Sequence, residues 1–164
     1  MQPYLPRDAT EMKALTAAWV VQQDLQLCLA HEVSFYDQGQ EFRFDFMALR
    51  PYHDYRLWGF EIKMNRQDFL QDKKWHHYLD YCHLFYFVCP NESIIQPNEL
   101  PKEVGLLYSY QNGQPKLRAK RKAKYRPMYD EPKKLLAMSM MLLRNKIPVL
   151  NYYQKTYVGN PFAT

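Results

Sequence analysis

The sequence predicts an α/β fold: an α/β/α sandwich with a central mixed β-sheet between helices. Three observations carry this. Two apolar and aromatic stretches, Arg43–Leu49 and Arg56–Ile62, flank the turn-rich Pro51-Tyr52-His53-Asp54-Tyr55 and read as a β-hairpin. His83-Leu84-Phe85-Tyr86-Phe87-Val88-Cys89 is continuously apolar, as a central strand covered on both faces should be. Helical periodicity appears near both ends of the chain.

In chain order, Asp8 or Thr10 caps a helix from about Glu11 to Leu29, with Leu15, Ala18, Trp19, Gln22, Leu25 and Leu29 as its stripe. His31–Tyr36 is a first strand, and Asp37-Gln38-Gly39-Gln40 turns it into the hairpin. Asn65 caps a helix from about Arg66 to Tyr81, with Asp68 at its third position. The 83–89 strand follows and stops at Pro90. Residues 91–103 are a polar loop, and Val104–Tyr110 is a further strand that stops at Gln111-Asn112-Gly113. Asp130 caps a last helix to about Lys146, with Pro132 near its start. These elements make one domain over 1–146, leaving 147–164 as a tyrosine-rich tail of unassigned role.

Composition narrows the class. At 164 residues with 47% apolar and 16% aromatic content, the chain is long enough to bury a core and too apolar for disorder. Three cysteines, an odd number without metal-ligand spacing, suit a reduced cytoplasmic protein. Neither a signal-peptide pattern nor a membrane-length apolar run is expected to tie the protein to a membrane. The formal net charge of +5 is compatible with a polyanionic partner.

The hairpin carries the chemistry. Side chains alternate faces along a strand. That alternation puts Phe42, Phe44, Phe46 and Ala48 on one face of the first hairpin strand and Arg43, Asp45 and Met47 on the other. With the loop centred on His53, Asp45 falls across from Glu61, and Arg43 across from Lys63. Cross-strand Cβ atoms are roughly 5 Å apart, and two opposed carboxylates destabilise a sheet unless a cation lies between them. A divalent cation with oxygen ligands satisfies that need, and Lys63 adds positive charge. The bland reading is a surface charge cluster with a salt bridge.

A second signal is the segment from Lys116 to Arg126, which has seven basic residues in eleven, among them Lys120, Arg121, Lys122 and Lys124. Phosphate contact is the functional reading, with steep salt dependence, and a solvated charge run the bland one. Nothing in the pattern suggests base-edge readout, so structure preference is expected over sequence specificity.

The element order, with an acidic residue on one hairpin strand and Glu61-Ile62-Lys63 on the next, resembles the PD-(D/E)XK nuclease superfamily. Phe60-Glu61-Ile62-Lys63, Asp68-Phe69, Asp72-Lys73-Lys74-Trp75, Tyr78-Leu79-Asp80-Tyr81-Cys82 and Phe85-Tyr86-Phe87 together resemble the MmcB-like DNA-repair proteins. Leu100-Pro101-Lys102-Glu103-Val104-Gly105-Leu106 is similar to that family's later loop and strand. The likeness spans about residues 12–146. Two positions depart from the wider pattern. Phe44 precedes Asp45 in place of proline, and Lys74 stands where one branch has the glutamine of Gln-x-x-x-Tyr.

The resemblance implies a restriction-endonuclease-like sandwich and a metal-dependent DNA nuclease acting in repair or processing. A catalytically inactive DNA-binding module on the same fold is the alternative, and a structural protein with an incidental acidic pair a third reading. By the same resemblance, Asp45, Glu61 and the Ile62 carbonyl would ligate Mg²⁺ or Mn²⁺, and Lys63 would orient or deprotonate the attacking water. Glu32, at the end of the first strand, is a further candidate carboxylate. Glu11 reads better as a favourable charge at a helix N-terminus. Lys73, Lys74 and Tyr78 would contact the DNA backbone, against the bland reading of a solvated helix face. Trp75 and His83 read as core. Many nucleases of this fold act as dimers, so a homodimer through the aromatic tail is an open expectation.

Overall fold

The computed structural model describes residues 1–24, 27–51 and 53–146. Leu25, Tyr52 and the 147–164 tail lie outside these. The elements are β1 (Gln2–Pro3), α1 (Ala9–Gln23), β2 (Cys28–Asp37), β3 (Gln40–Leu49), β4 (Leu57–Ile62), α2 (Arg66–Gln71), α3 (Trp75–Tyr78), β5 (Leu84–Cys89), β6 (Gly105–Asn112), β7 (Gln114–Arg121) and α4 (Glu131–Arg144). Single 3₁₀ turns occupy Leu79–Tyr81 and Pro97–Glu99.

The fold is mixed α/β around a seven-stranded sheet of order β1-β6-β5-β4-β3-β2, with β7 also on β6. β4, β5 and β6 run parallel to one another, and the other pairings are antiparallel. Tyr110 of β6 pairs with both Pro3 and Lys116, so β1 extends the edge that β5 vacates. β5 is buried along its whole length, as its unbroken apolar run requires.

Each face of the sheet has its own core. On one, α1 sets Met12, Leu15 and Val20 against Phe46, Phe60, Tyr86 and Val88. On the other, Phe69, Trp75, Tyr78, Met138 and Leu142 of α2, α3 and α4 cover Phe44, Phe85 and Phe87. The close approach on this second face needs Gly59: a Cβ there would lie 2.5 Å from Phe44 Cε1 and 3.1 Å from Cys82 Sγ.

Four expectations change. The first helix ends at Gln23, and Leu29 belongs to β2, where it pairs with Ala48. The expected 66–81 helix is broken at Asp72. There the backbone turns extended (ψ 104°) and the Asp72 carboxylate accepts from Lys74 N at 2.9 Å, a local side-chain bond that competes with the helix. Asp130 occupies the N-cap position of α4 with φ 53°, but its side chain makes no capping bond.

The fourth concerns the hairpin. Phe42 and Phe44 pack on the α4 side, whereas Phe46 and Ala48 pack on the α1 side. The alternation slips by one residue between them. β2 pairs His31 with Phe46 and Val33 with Phe44, and the ladder skips the intervening Glu32–Asp45 position. Glu32 has φ 55°, the left-handed conformation that permits the slip. The slip stays in register because both strands make it together.

Candidate functional site

The β3–β4 ladder runs from Leu49–Leu57 to Phe46–Phe60. One more step in that register sets Asp45 opposite Glu61. The ladder stops there, and the Asp45 carboxylate instead accepts from the Ile62 backbone N–H at 2.8 Å. A side chain has replaced a strand carbonyl, so Asp45 is fixed by the edge of β4. The expected pairing of Arg43 with Lys63 does not form. Arg43 pairs with Ser34 in β2, and Lys63 leaves the hairpin to donate its backbone N–H to Val88 O of β5.

The Lys63 ammonium is buried between two carboxylates, 3.2 Å from Glu61 Oε1 and 2.6 Å from Asp72 Oδ2. Burial opposes its charge, but Glu61 and Asp72 more than offset this and hold its pKa above the ordinary value. Burial, then the negative charge of Asp45, pushes the Glu61 carboxyl up to about 8. Burial also raises Asp45, against the hydrogen bond from Ile62 and the positive charge of Lys63. Glu61 Oε2 is buried without a hydrogen-bond partner among the described residues.

Asp45 and Glu61 open on a cleft of about 330 Å³ also lined by Glu41, Phe42, Arg43, Lys74 and Tyr78. Tyr78 packs on Phe44 with ring centroids 4.8 Å apart, and burial first, then Glu61 and Asp72, raises its phenol pKa. Two buried acids of one sign, one with an orphaned oxygen, suit a hard divalent cation better than they suit each other. Asp45, Glu61 and the Ile62 carbonyl are thus a plausible donor set by chemistry. Among the described residues, no cluster of three or more His, Cys, Asp or Glu side chains forms a metal site.

The remaining sequence candidates divide. Lys74 and Tyr78 line the cleft, but Lys73 lines a different one together with Asp72. Glu32 is turned to Lys13 of α1, Nζ to Oε1 3.2 Å, and is not among the cleft-lining residues. Glu11 holds the N-terminal segment, accepting from Tyr4 Oη and Arg7 N. Trp75 and His83 are core, with Leu57 N donating to His83 Nδ1 at 3.0 Å.

The basic segment forms β7 and the stretch after it, three strands from β4, or about 14 Å across the sheet. Lys120, Lys122 and Lys124 are exposed. Arg121 is a correction. Its guanidinium donates to the carbonyls of Pro97, Leu100, Pro101 and Val104, at 2.8 to 3.5 Å, so it clamps the 97–104 loop and four of its five donors are engaged there.

Sequence reasoning missed two residues. Asp72, quoted only within a motif, is the second carboxylate on Lys63. Lys13 lowers the Glu32 pKa through its hydrogen bond and then its charge, and it lies near enough to Asp45 that its charge works against the rise that burial causes there. The Asp72 break was the findable one, since an Asp after a short capped helix is a good helix stop. No local signal marks Lys13.

The fold and cleft define a mixed α/β protein with an Asp–Glu–Lys cluster at a strand edge. The chain belongs to the DNA repair protein MmcB-like family, whose model matches residues 7–137. In three dimensions it is similar to the SPO1766 protein of unknown function from Silicibacter pomeroyi. That likeness has a TM-score of 0.61 at 24% identity, covers 88% of this chain and 86% of the other, and bears on fold alone. No curated protein matches. Membership of a DNA-repair family suggests a DNA-repair role and interaction with DNA. No helix among the described residues is long and apolar enough to cross a membrane.

Proposed function

We propose that the protein is a metal-dependent DNA nuclease of the PD-(D/E)XK type, with a restriction-endonuclease-like sandwich, hydrolysing phosphodiesters during DNA repair. The observation that carries this reading is the Asp45–Glu61 pair lining an open cleft, with Lys63 buried against Glu61 and Glu61 Oε2 without a hydrogen-bond partner among the described residues. Asp45, Glu61 and the Ile62 carbonyl would hold Mg²⁺ or Mn²⁺. A bound divalent cation supplies charge neutralisation at the phosphate and a more acidic water.

The chain's own residues do the rest. Asp45 is aligned by the Ile62 N–H, which fixes where its free oxygen points. Glu61 donates an otherwise unused oxygen. Lys63 stays protonated because Glu61 and Asp72 flank it. In that state it orients a water or stabilises charge developing on the phosphate, rather than acting as a base. Lys74, at the cleft rim, attracts the backbone of the strand to be cut.

Cleavage of single-stranded, duplex, flap and junction DNAs with Mg²⁺ or Mn²⁺ tests this. Metal-dependent cutting supports the nuclease. DNA binding without cutting at any metal concentration would leave an inactive DNA-binding module on the same fold.

A further inference from the structure

Lys74 lines the first cleft, whereas Asp72 and the adjacent Lys73 line a second one of about 520 Å³. Its walls include Leu70, Lys73, Trp75, His76 and Asn98. The His76 ring stacks on the Trp75 indole, with centroids 3.6 Å apart and planes inclined by 28°. Trp75 is itself held from behind by Phe87, at 5.3 Å. His76 is exposed and Leu70 is 49% exposed, so a rigid aromatic platform with an apolar shoulder faces solvent.

The charge of this cleft is also settled by pairing. Asp72 is engaged by Lys63, and Glu99 by a two-bond contact from the Arg66 guanidinium. Lys73 is exposed and makes no ion pair among the described residues, so it is the cleft's uncompensated charge. Lys73 and Lys74 are neighbours, with Cα atoms about 3.8 Å apart. One lysine serves each cleft, so a strand running from one cleft to the other meets a cation in both.

We propose that this second cleft binds one unpaired nucleotide of the DNA strand. Its base would stack on His76 against Leu70, its edge would reach the Asn98 amide, and its phosphate would sit at Lys73. Bases in a blunt duplex are already stacked and cannot offer a face, so the preferred substrate is single-stranded or single-strand-tailed DNA. Stacking tolerates any base, which makes the preference structural and not sequence-specific. This inference rests on the nuclease reading for where the cut phosphate lies, but its test reads binding alone.

The test uses the full chain in EDTA, so that no cutting intervenes. Single-stranded oligonucleotides carrying 2-aminopurine, and matched blunt duplexes, are titrated with wild type, His76→Ala, Lys73→Ala and Asn98→Ala. All three positions are exposed, so their variants should fold. The expected results are quenching by the wild type that His76→Ala abolishes, and single-strand affinity lower by on the order of tenfold in His76→Ala, with blunt-duplex affinity unchanged. Lys73→Ala should reduce the salt dependence of single-strand binding. Absence of quenching by the wild type, or His76→Ala binding single strands as the wild type does, would overturn the proposal. A protein that quenches the base yet cuts no DNA with Mg²⁺ or Mn²⁺ refutes the nuclease reading and spares the nucleotide cleft. One that cuts without quenching does the reverse.

Discussion

Lys63 Nζ stands 2.6 Å from Asp72 Oδ2, joining the end of β4 to the break between α2 and α3. The same carboxylate group accepts from Lys74 N through its other oxygen. One residue therefore stops a helix, holds the cluster's lysine and shapes the cleft rim.

From this follows the first prediction. Asp72→Asn keeps the turn acceptor but removes the negative charge beside Lys63. Stability should fall by about 2 kcal/mol, the scale of a hydrogen bond to a charged group. Cleavage should fall by up to about 100-fold through misplacement of Lys63. Denaturant unfolding and single-turnover cleavage measure the two, and DNA affinity should barely move.

Glu61 sets a pH dependence. Its carboxyl lies at about 8 in the folded protein, against an ordinary 4.5. Between those values the folded chain keeps a proton that the unfolded chain has released. The stability this provides is complete below the unfolded value and is lost as pH rises through about 8. Melting curves of wild type and Glu61→Gln, compared from pH 5 to 9 without metal, isolate this group. The variant should gain on the wild type as pH rises. Mg²⁺ or Mn²⁺ competes with the same proton, so either ion should raise the wild-type Tm more at pH 8.5 than at pH 5.5. A metal effect independent of pH would argue against Glu61 as a ligand.

The basic segment should separate into two kinds of residue. Arg121→Ala strips donors from the loop carbonyls at Pro97, Leu100, Pro101 and Val104 and should cost about 2–3 kcal/mol. Lys120→Ala, Lys122→Ala and Lys124→Ala should leave the Tm nearly unchanged and flatten the salt dependence of DNA binding. Anisotropy titrations at several salt concentrations, beside melting curves, decide it.

Gly59 lies two residues before Glu61 under the Phe44 ring. Gly59→Ala should cost about 1–3 kcal/mol, because its Cβ would meet Phe44 Cε1 at 2.5 Å and the aromatic cluster leaves that ring nowhere to go. Equilibrium unfolding gives the value, and an unchanged midpoint would mean the β4 strand shifts freely.

The hairpin was legible because two apolar stretches of similar length around a turn admit few registers. The pattern sets Asp45 opposite Glu61, one step beyond where the ladder ends at Phe46 and Phe60. The slip at Glu32 and Asp45 was not legible. Phe42, Phe44, Phe46 and Ala48 alternate without a flaw in sequence, and the left-handed backbone at Glu32 has no local marker. The break at Asp72 had a local sign, an Asp after a short capped helix, but its ion pair with Lys63 had none, because helical periodicity does not register a partner on another element. Arg121 reads as one cation among seven, because a charge run in sequence does not distinguish a guanidinium facing solvent from one buried on carbonyls.

Single-turnover cleavage by wild type, Asp45→Asn and Lys63→Ala, paired with DNA binding by the same proteins, tests the central claim most directly. The account predicts cutting by the wild type that requires Mg²⁺ or Mn²⁺, and loss of at least about 100-fold in both variants with DNA affinity retained. Wild-type protein that binds DNA without cutting it, or Asp45→Asn that cuts as fast as wild type, would contradict it.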